Sequence, residues 1–156
     1  MKIFYVTIIT LLILGSSVLA KEISGVPNIT DGDTIKFFNK RMRLHGIDAP
    51  EKKQVCIKNS KEYSCGKEAT DALAKKINGK LVVCKVQDKL DRYNRYIGVC
   101  FVGELNLNKW MVRNGYAVAY RRYSKDYIRD EDYAKKNKLG LWSGAFIHPE
   151  KWRKLN

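Results

Sequence analysis

Between Asp31 and Glu51 the sequence reads DGDTIKFFNKRMRLHGIDAPE, and its ionisable side chains are spaced so that they could work together. Asp31-Gly32-Asp33-Thr34 is a tight acidic turn, because glycine tolerates the positive φ that such turns need. Two alternating segments follow, separated by the turn signal Asn39-Lys40, and the second carries Arg43 into Asp48-Ala49-Pro50-Glu51. Asp33 stands at one strand end, Asp48 and Glu51 at another, with Arg43 between. Carboxylates without cysteine suit a hard cation, Ca²⁺ or Mg²⁺, rather than zinc. An arginine beside them suits a negatively charged ligand, most simply a phosphate. A solvated turn with a surface ion pair accounts for the same residues when they are taken alone.

A later hairpin tip, Asp91-Arg92-Tyr93-Asn94-Arg95, adds two arginines and a tyrosine. DGDT, then R-L-x-G-I-D-A-P-E at 43–51, then D-R-Y-x-R at 91–95 together resemble the staphylococcal nuclease (thermonuclease) family over about residues 22–143. The resemblance implies an exported Ca²⁺-dependent endonuclease that cuts DNA and RNA with little sequence preference and leaves 3′-phosphate ends. It also implies roles. Asp33 and Asp48 match the metal carboxylates, and Ala49 matches the residue whose backbone carbonyl binds the metal. That residue is usually threonine; a carbonyl ligand survives the change and a hydroxyl contact does not. Arg43 and Arg95 match the phosphate-facing arginines, and Glu51 the glutamate that activates water. Arg92 and Tyr93 match positions near a bound nucleotide. Tyr120 and Tyr123, in Tyr-Arg-Arg-Tyr, match nucleotide-contacting tyrosines with a spacing that differs by one residue; such rings stack on bases or reach phosphate. Asp31 stands behind the metal site or serves only as a turn-forming residue.

The elements that must position these groups are legible in outline. Residues 21–30, 34–38 and 42–47 read as strands, and 51–64 as a polar, turn-like stretch. Residues 66–78 read as a helix, with Ala69, Leu73 and Ile77 on one face and Asn78-Gly79 as its stop. Strands at 80–87 and 95–102, a helix at 105–114, an extended or irregular stretch at 116–123 and a third helix from Ser124 to about Lys138 follow. This order permits, and the resemblance implies, a β-rich α+β fold, a five-stranded Greek-key barrel of the OB type with about three helices. Its domain spans 21–143, and 144–156 form a tail packed on it or trailing from it. Tyr116, Trp110 and Trp142 read as core, His45 and His148 as structural.

Residues 1–20 differ in kind. Lys2, the apolar run 3–14, and Val18 and Ala20 before a cleavage point read as a signal peptide, with an uncleaved anchor as the alternative. Lys2 is the single charged residue among these twenty, so the formal charge of +14 becomes +13 in the mature chain. A basic exported domain points to a polyanion: nucleic acid, anionic lipid or acidic polysaccharide. Four cysteines suit an oxidising compartment, periplasmic or extracellular. Cys84 and Cys100 lie symmetrically about a hairpin turn centred near Arg92, which pairs them and leaves Cys56 with Cys65. The absence of Cys-x-x-Cys, with only two histidines, argues against zinc and against histidine-dependent nuclease classes. The mature protein is expected to be a monomer without an obligate protein partner or membrane association. A non-catalytic OB-fold nucleic-acid-binding module is the alternative function, and an adhesin for anionic surfaces a third. Neither needs Asp33, Arg43, Asp48, Glu51 and Arg95 together.

Overall fold

The computed structural model describes residues 21–156, so the signal segment expected at 1–20 lies outside the described residues. The sheet is built from β1 (Glu22–Gly25), β2 (Asn28–Asp31), β3 (Thr34–Phe37) and β4 (Lys40–Leu44), then β8 (Val82–Val86) and β9 (Tyr96–Val102). Short strands β5 (Ile47–Asp48), β6 (Cys56–Lys58), β7 (Lys61–Tyr63), β10 (Leu105–Asn106) and β11 (Val118–Ala119) complete the β-structure. The helices are α1 (Cys65–Ile77), α2 (Leu107–Arg113), α3 (Ile128–Lys136) and α4 (Pro149–Leu155), with a 3₁₀ turn at Gly140–Ser143.

The strand order is β1-β8-β9-β4-β3-β2, with β4 and β9 parallel and the other neighbours antiparallel. The two ends of this order, β1 and β2, are consecutive in the chain and joined only by Val26-Pro27. The sheet therefore curls back on itself. Counting β1 and β2 as one bent strand gives the five-stranded OB arrangement. The single strand expected over 21–30 is thus divided. Proline lacks the N–H that a continuing ladder requires, and at the break the chain leaves β8 for β3.

Ile35, Met42, Leu44, Leu73, Leu107 and Met111 fill the barrel and the seam to α1 and α2. Helix α1 buries Ala69, Leu73 and Ile77, as their spacing predicts, and ends at Asn78, whose left-handed backbone lets its N–H reach Ala74 O at 2.8 Å. Both disulfides pair as expected. Cys84 and Cys100 are direct cross-strand partners, Cα atoms 4.0 Å apart, and Cys56–Cys65 spans 5.6 Å.

Three local expectations are corrected. The polar stretch 51–64 contains a β-hairpin, β6–β7, because Asn59 and Ser60 adopt positive φ at its tip. The second helix starts at Leu107, since Leu105 and Asn106 pair with β9 and the Asn106 side chain accepts from Lys109 N–H at 2.9 Å as its cap. The third helix starts at Ile128, because the Ser124 hydroxyl accepts from Asp126 N–H at 3.1 Å in a local turn instead of capping a helix. The stretch expected extended or irregular at 116–123 is extended at β11, which pairs with β5. The tail packs on the domain and forms α4. It is held by two backbone hydrogen bonds between Ile57 and Ala145, both 2.8 Å, and by Trp142 and Phe146, whose rings meet edge to face at 4.9 Å.

Candidate active site

The acidic turn begins where β2 gives way to β3. Asp31 Oδ1 accepts the Asp33 N–H at 3.0 Å, as the turn-forming one of the two readings expected of it would have it. Gly32 does not adopt the positive φ expected of it; it is required because a Cβ would lie 2.7 Å from that of Ala49 and 2.9 Å from that of Ala69. This close approach brings the turn against the segment after β5. Asp33, buried, accepts the Ala49 N–H on Oδ2 at 2.8 Å and the Thr34 hydroxyl on Oδ1 at 3.1 Å. Asp48, with its side chain 2% exposed, sits on β5, which β11 backs with Val118 opposite Asp48. Beneath β11, buried Glu131 accepts from the Ala119 N–H at 3.0 Å, from Arg121 at 2.6 Å and from Lys135 at 2.7 Å.

Arg43 stands on β4 between β3 and β9, and its guanidinium spans the two aspartates. Nη1 pairs with Asp33 Oδ1, and Nη2 lies 3.0 Å from Asp48 Oδ1 and 3.3 Å from the Ile47 carbonyl. Burial lowers the Arg43 pKa from its ordinary value, while Asp48 pulls it upward. Burial likewise raises the Asp31 carboxyl above the usual aspartate value, against the lowering pull of Arg43. Arg95 immediately precedes β9, on which Ile97 is the cross-strand partner of Arg43, and its positive charge pulls the pKa of both Asp31 and Arg43 downward. Arg95 is oriented by Asp91, whose Oδ2 accepts from Nε at 2.8 Å while Oδ1 accepts the Tyr93 and Arg95 N–H groups at 2.9 Å.

Glu51 joins the cluster through a residue that the sequence reading passed over. Arg153, on α4, donates from Nη1 and Nη2 to Asp48 Oδ1 and Oδ2 at 2.9 and 3.0 Å, and from Nη1 to Glu51 Oε1 at 2.8 Å. Burial works against its charge, but the hydrogen bonds to Asp48 and Glu51 prevail and raise its pKa above the ordinary arginine value. Behind Glu51, the buried Gln54 side chain accepts the Glu51 N–H at 3.2 Å and donates to the Ile147 carbonyl at 2.6 Å, tying the tail to this loop. A Cβ on Gly66 would overlap the Glu51 carbonyl, so glycine lets α1 start against it. By charge alone the tail does not distinguish Arg153 from Lys151 or Lys154, though it is the tail's single arginine.

Asp33, Arg43, Asp48, Ala49 and Glu51 therefore converge, with Arg95 close by. The expected nucleotide contacts are more dispersed. Arg92 and Tyr93 are exposed on the hairpin tip, the Arg92 guanidinium 4.8 Å from the Tyr93 ring centre. Tyr120 and Tyr123 meet edge to face at 4.7 Å. Tyr120 borders a cleft of about 540 Å³ lined also by Asp48, Arg121, Arg122, Glu131, Glu150 and Lys154.

Among the described residues no three His, Cys, Asp or Glu side chains form a metal cage. The donors present nevertheless fit a hard cation. Two buried carboxylates are drawn to a single positive charge, and the donors of the pair are all oxygen.

The profile of the family described as staphylococcal nuclease homologue matches residues 41–144. An uncharacterized endonuclease of Escherichia coli O157:H7 is 36% identical over 154 residues, covering 93% of this chain and 94% of its own length. An uncharacterized endonuclease of Haemophilus influenzae is 34% identical over 142 residues, 86% of this chain and 74% of its own. The succinoglycan biosynthesis protein ExoI of Rhizobium meliloti is 34% identical over 133 residues, 83% of this chain and 69% of its own.

Proposed function

The chain belongs to the staphylococcal nuclease family, and on that premise we propose that it is an exported, Ca²⁺-dependent nuclease hydrolysing phosphodiester bonds of DNA and RNA. The reading is carried by one observation: Asp33 and Asp48 share the Arg43 guanidinium, and Asp48 and Glu51 share that of Arg153. Export is supported by two disulfides, which persist in oxidising compartments. A polyanionic substrate is supported by the formal charge of +14.

Asp33, Asp48 and the Ala49 carbonyl would hold the cation, which supplies positive charge beside the phosphoryl oxygens. Arg43 and Arg95 add fixed donors for the charge that grows there in the transition state. Arginine suits this work because it stays protonated and its fork can meet two oxygens. Glu51 takes a proton from water as the water oxygen bonds to phosphorus. The bond from phosphorus to the 5′ oxygen breaks, and that oxygen gains a proton from solvent, leaving 3′-phosphate and 5′-hydroxyl ends. Arg92, Tyr93, Tyr120 and Tyr123 would contact the flanking nucleotides.

The test is cleavage of plasmid DNA and of RNA by the mature protein, in Ca²⁺ and after exhaustive chelation. Cleavage is expected only with the cation. Full cleavage in chelator refutes the metal assignment; tight binding without cleavage under either condition favours the OB-fold binding module.

A further inference from the structure

We infer that Arg153 is a built-in competitor of the cation: its fork holds Asp48 and Glu51 when no cation is bound and must leave for Asp48 to ligate one. The inference rests on the assignment of a cation to Asp33 and Asp48. Its warrant is the occupancy of the Asp48 carboxylate. Oδ1 accepts from both Arg43 Nη2 and Arg153 Nη1, and Oδ2 accepts from Arg153 Nη2. Every oxygen of a side chain that is 2% exposed is therefore engaged by a guanidinium. A cation on the same oxygens would meet the Arg153 charge at close range in a poorly screened site, where like charges repel strongly.

Of the two arginines, Arg153 is the one that can yield. Arg43 belongs to a central strand with partners on both sides. Arg153 rides on a seven-residue helix that buries only Pro149. The segment before that helix is anchored independently, by the Ile57–Ala145 hydrogen bonds and by Gln54 on the Ile147 carbonyl. Undocking can thus be confined to α4. The other ion pairs of that helix are weak: Glu150 lies 3.6 Å from both Arg122 and Lys154. Removing the competitor should tighten cation binding, and cation binding should loosen α4.

Calorimetric titration of Ca²⁺ into cation-free wild type, Arg153→Gln and Lys154→Gln tests this without reference to catalysis. Arg153→Gln should bind Ca²⁺ at least about tenfold more tightly than wild type, the scale of a charge-assisted paired contact. Lys154→Gln removes the same charge one residue along and should change affinity by less than about threefold, since exposed charges are screened. Hydrogen exchange of the wild type offers a readout independent of any variant. The Trp152 and Asn156 amides, bonded to the His148 and Trp152 carbonyls, should exchange faster on saturation with Ca²⁺. Equal affinity of wild type and Arg153→Gln overturns the competition while leaving the cation site standing. Unchanged or slower α4 exchange in a protein that does bind Ca²⁺ overturns it equally. Absence of Ca²⁺ binding in both proteins removes the cation assignment itself, and the competition with it.

Discussion

Replacing Asn108 by leucine should cost this domain about 3 kcal/mol, and the figure follows from which atoms lose partners. Asn108 is fully buried on α2. Its Oδ1 accepts the Cys100 N–H at 3.0 Å, and its Nδ2 donates to the His45 carbonyl at 2.9 Å and the Gly98 carbonyl at 3.2 Å. One amide thus ties α2 to β9 and to the turn that leads into Asp48. Leucine matches its size and offers none of these bonds. The Gly98 carbonyl keeps the His45 N–H at 2.8 Å, so its loss is the mildest. The Cys100 N–H and the His45 carbonyl lose these partners, at about 1–3 kcal/mol for each group left unsatisfied. Better burial of leucine offsets part of that sum. A loss of about 3 kcal/mol lowers Tm by about 10 °C in a domain of this size. Urea unfolding of the disulfide-intact protein, followed by circular dichroism and by tryptophan fluorescence, measures it if the two transitions coincide. Asn108→Asp is the companion variant. It keeps an acceptor for Cys100 and turns an oxygen toward two carbonyls, so it should be at least as damaging as leucine. A leucine variant within about 1 kcal/mol of wild type refutes the accounting, since that is the net scale of one ordinary hydrogen bond.

Two further outcomes are expected. Arg95→Ala and Glu51→Gln should each lower turnover by at least about a hundredfold, the scale of lost charge stabilisation or proton transfer. Binding of a non-cleavable oligonucleotide should persist in both, because affinity is spread over many phosphate contacts; wild-type cleavage rates would move the chemistry elsewhere. The second concerns Glu131. Burial pushes its carboxyl up, but hydrogen bonds from Lys135, Arg121 and the Ala119 N–H prevail and hold its pKa below the ordinary glutamate value. A depressed folded value stabilises the protein above the unfolded pKa, and the contribution is lost as pH falls through the folded one. Glu131→Gln should therefore be less stable than wild type at pH 7, with the gap closing in acid; a gap independent of pH would contradict the assignment.

Several elements of the barrel were readable because their signals are local, while the barrel itself was implied by the family resemblance. Period-two alternation placed β3 and β4, an i, i+4, i+8 stripe placed α1, and the symmetry of Cys84 and Cys100 about their turn fixed a cross-strand pair. The division of the first strand was not readable. Pro27 marks an interruption, but only the closure of the sheet shows that the chain changes partner there. Glu131 was hidden for another reason. Arg129-Asp130-Glu131-Asp132 has the composition of a solvated face, yet Asp130 and Glu131 are buried because α3 packs against β11. Asn108 did leave a signal: it falls between Met111 and Val112 on the apolar face of α2, and a polar residue at a core position implies buried backbone partners.

Arg153 was beyond sequence reasoning, since it meets Asp48 across 105 positions and carries the same charge as its neighbours. Its presence nonetheless has a physical cause that the motif alone implies. If Asp33 and Asp48 receive a cation as we propose, buried carboxylates gathered for it are costly to leave without compensating charge, so the site needs counter-ions in every state. Arg43 is held in place by the sheet and serves permanently. A second counter-ion that remained equally fixed would shut the cation out. Placing it on a lightly docked helix, outside the barrel and anchored only through the preceding segment, keeps Asp48 compensated while leaving that compensation exchangeable. On the proposed cation assignment, the division of labour between a strand arginine and a helix arginine follows from the opposite demands of burying such a site and filling it.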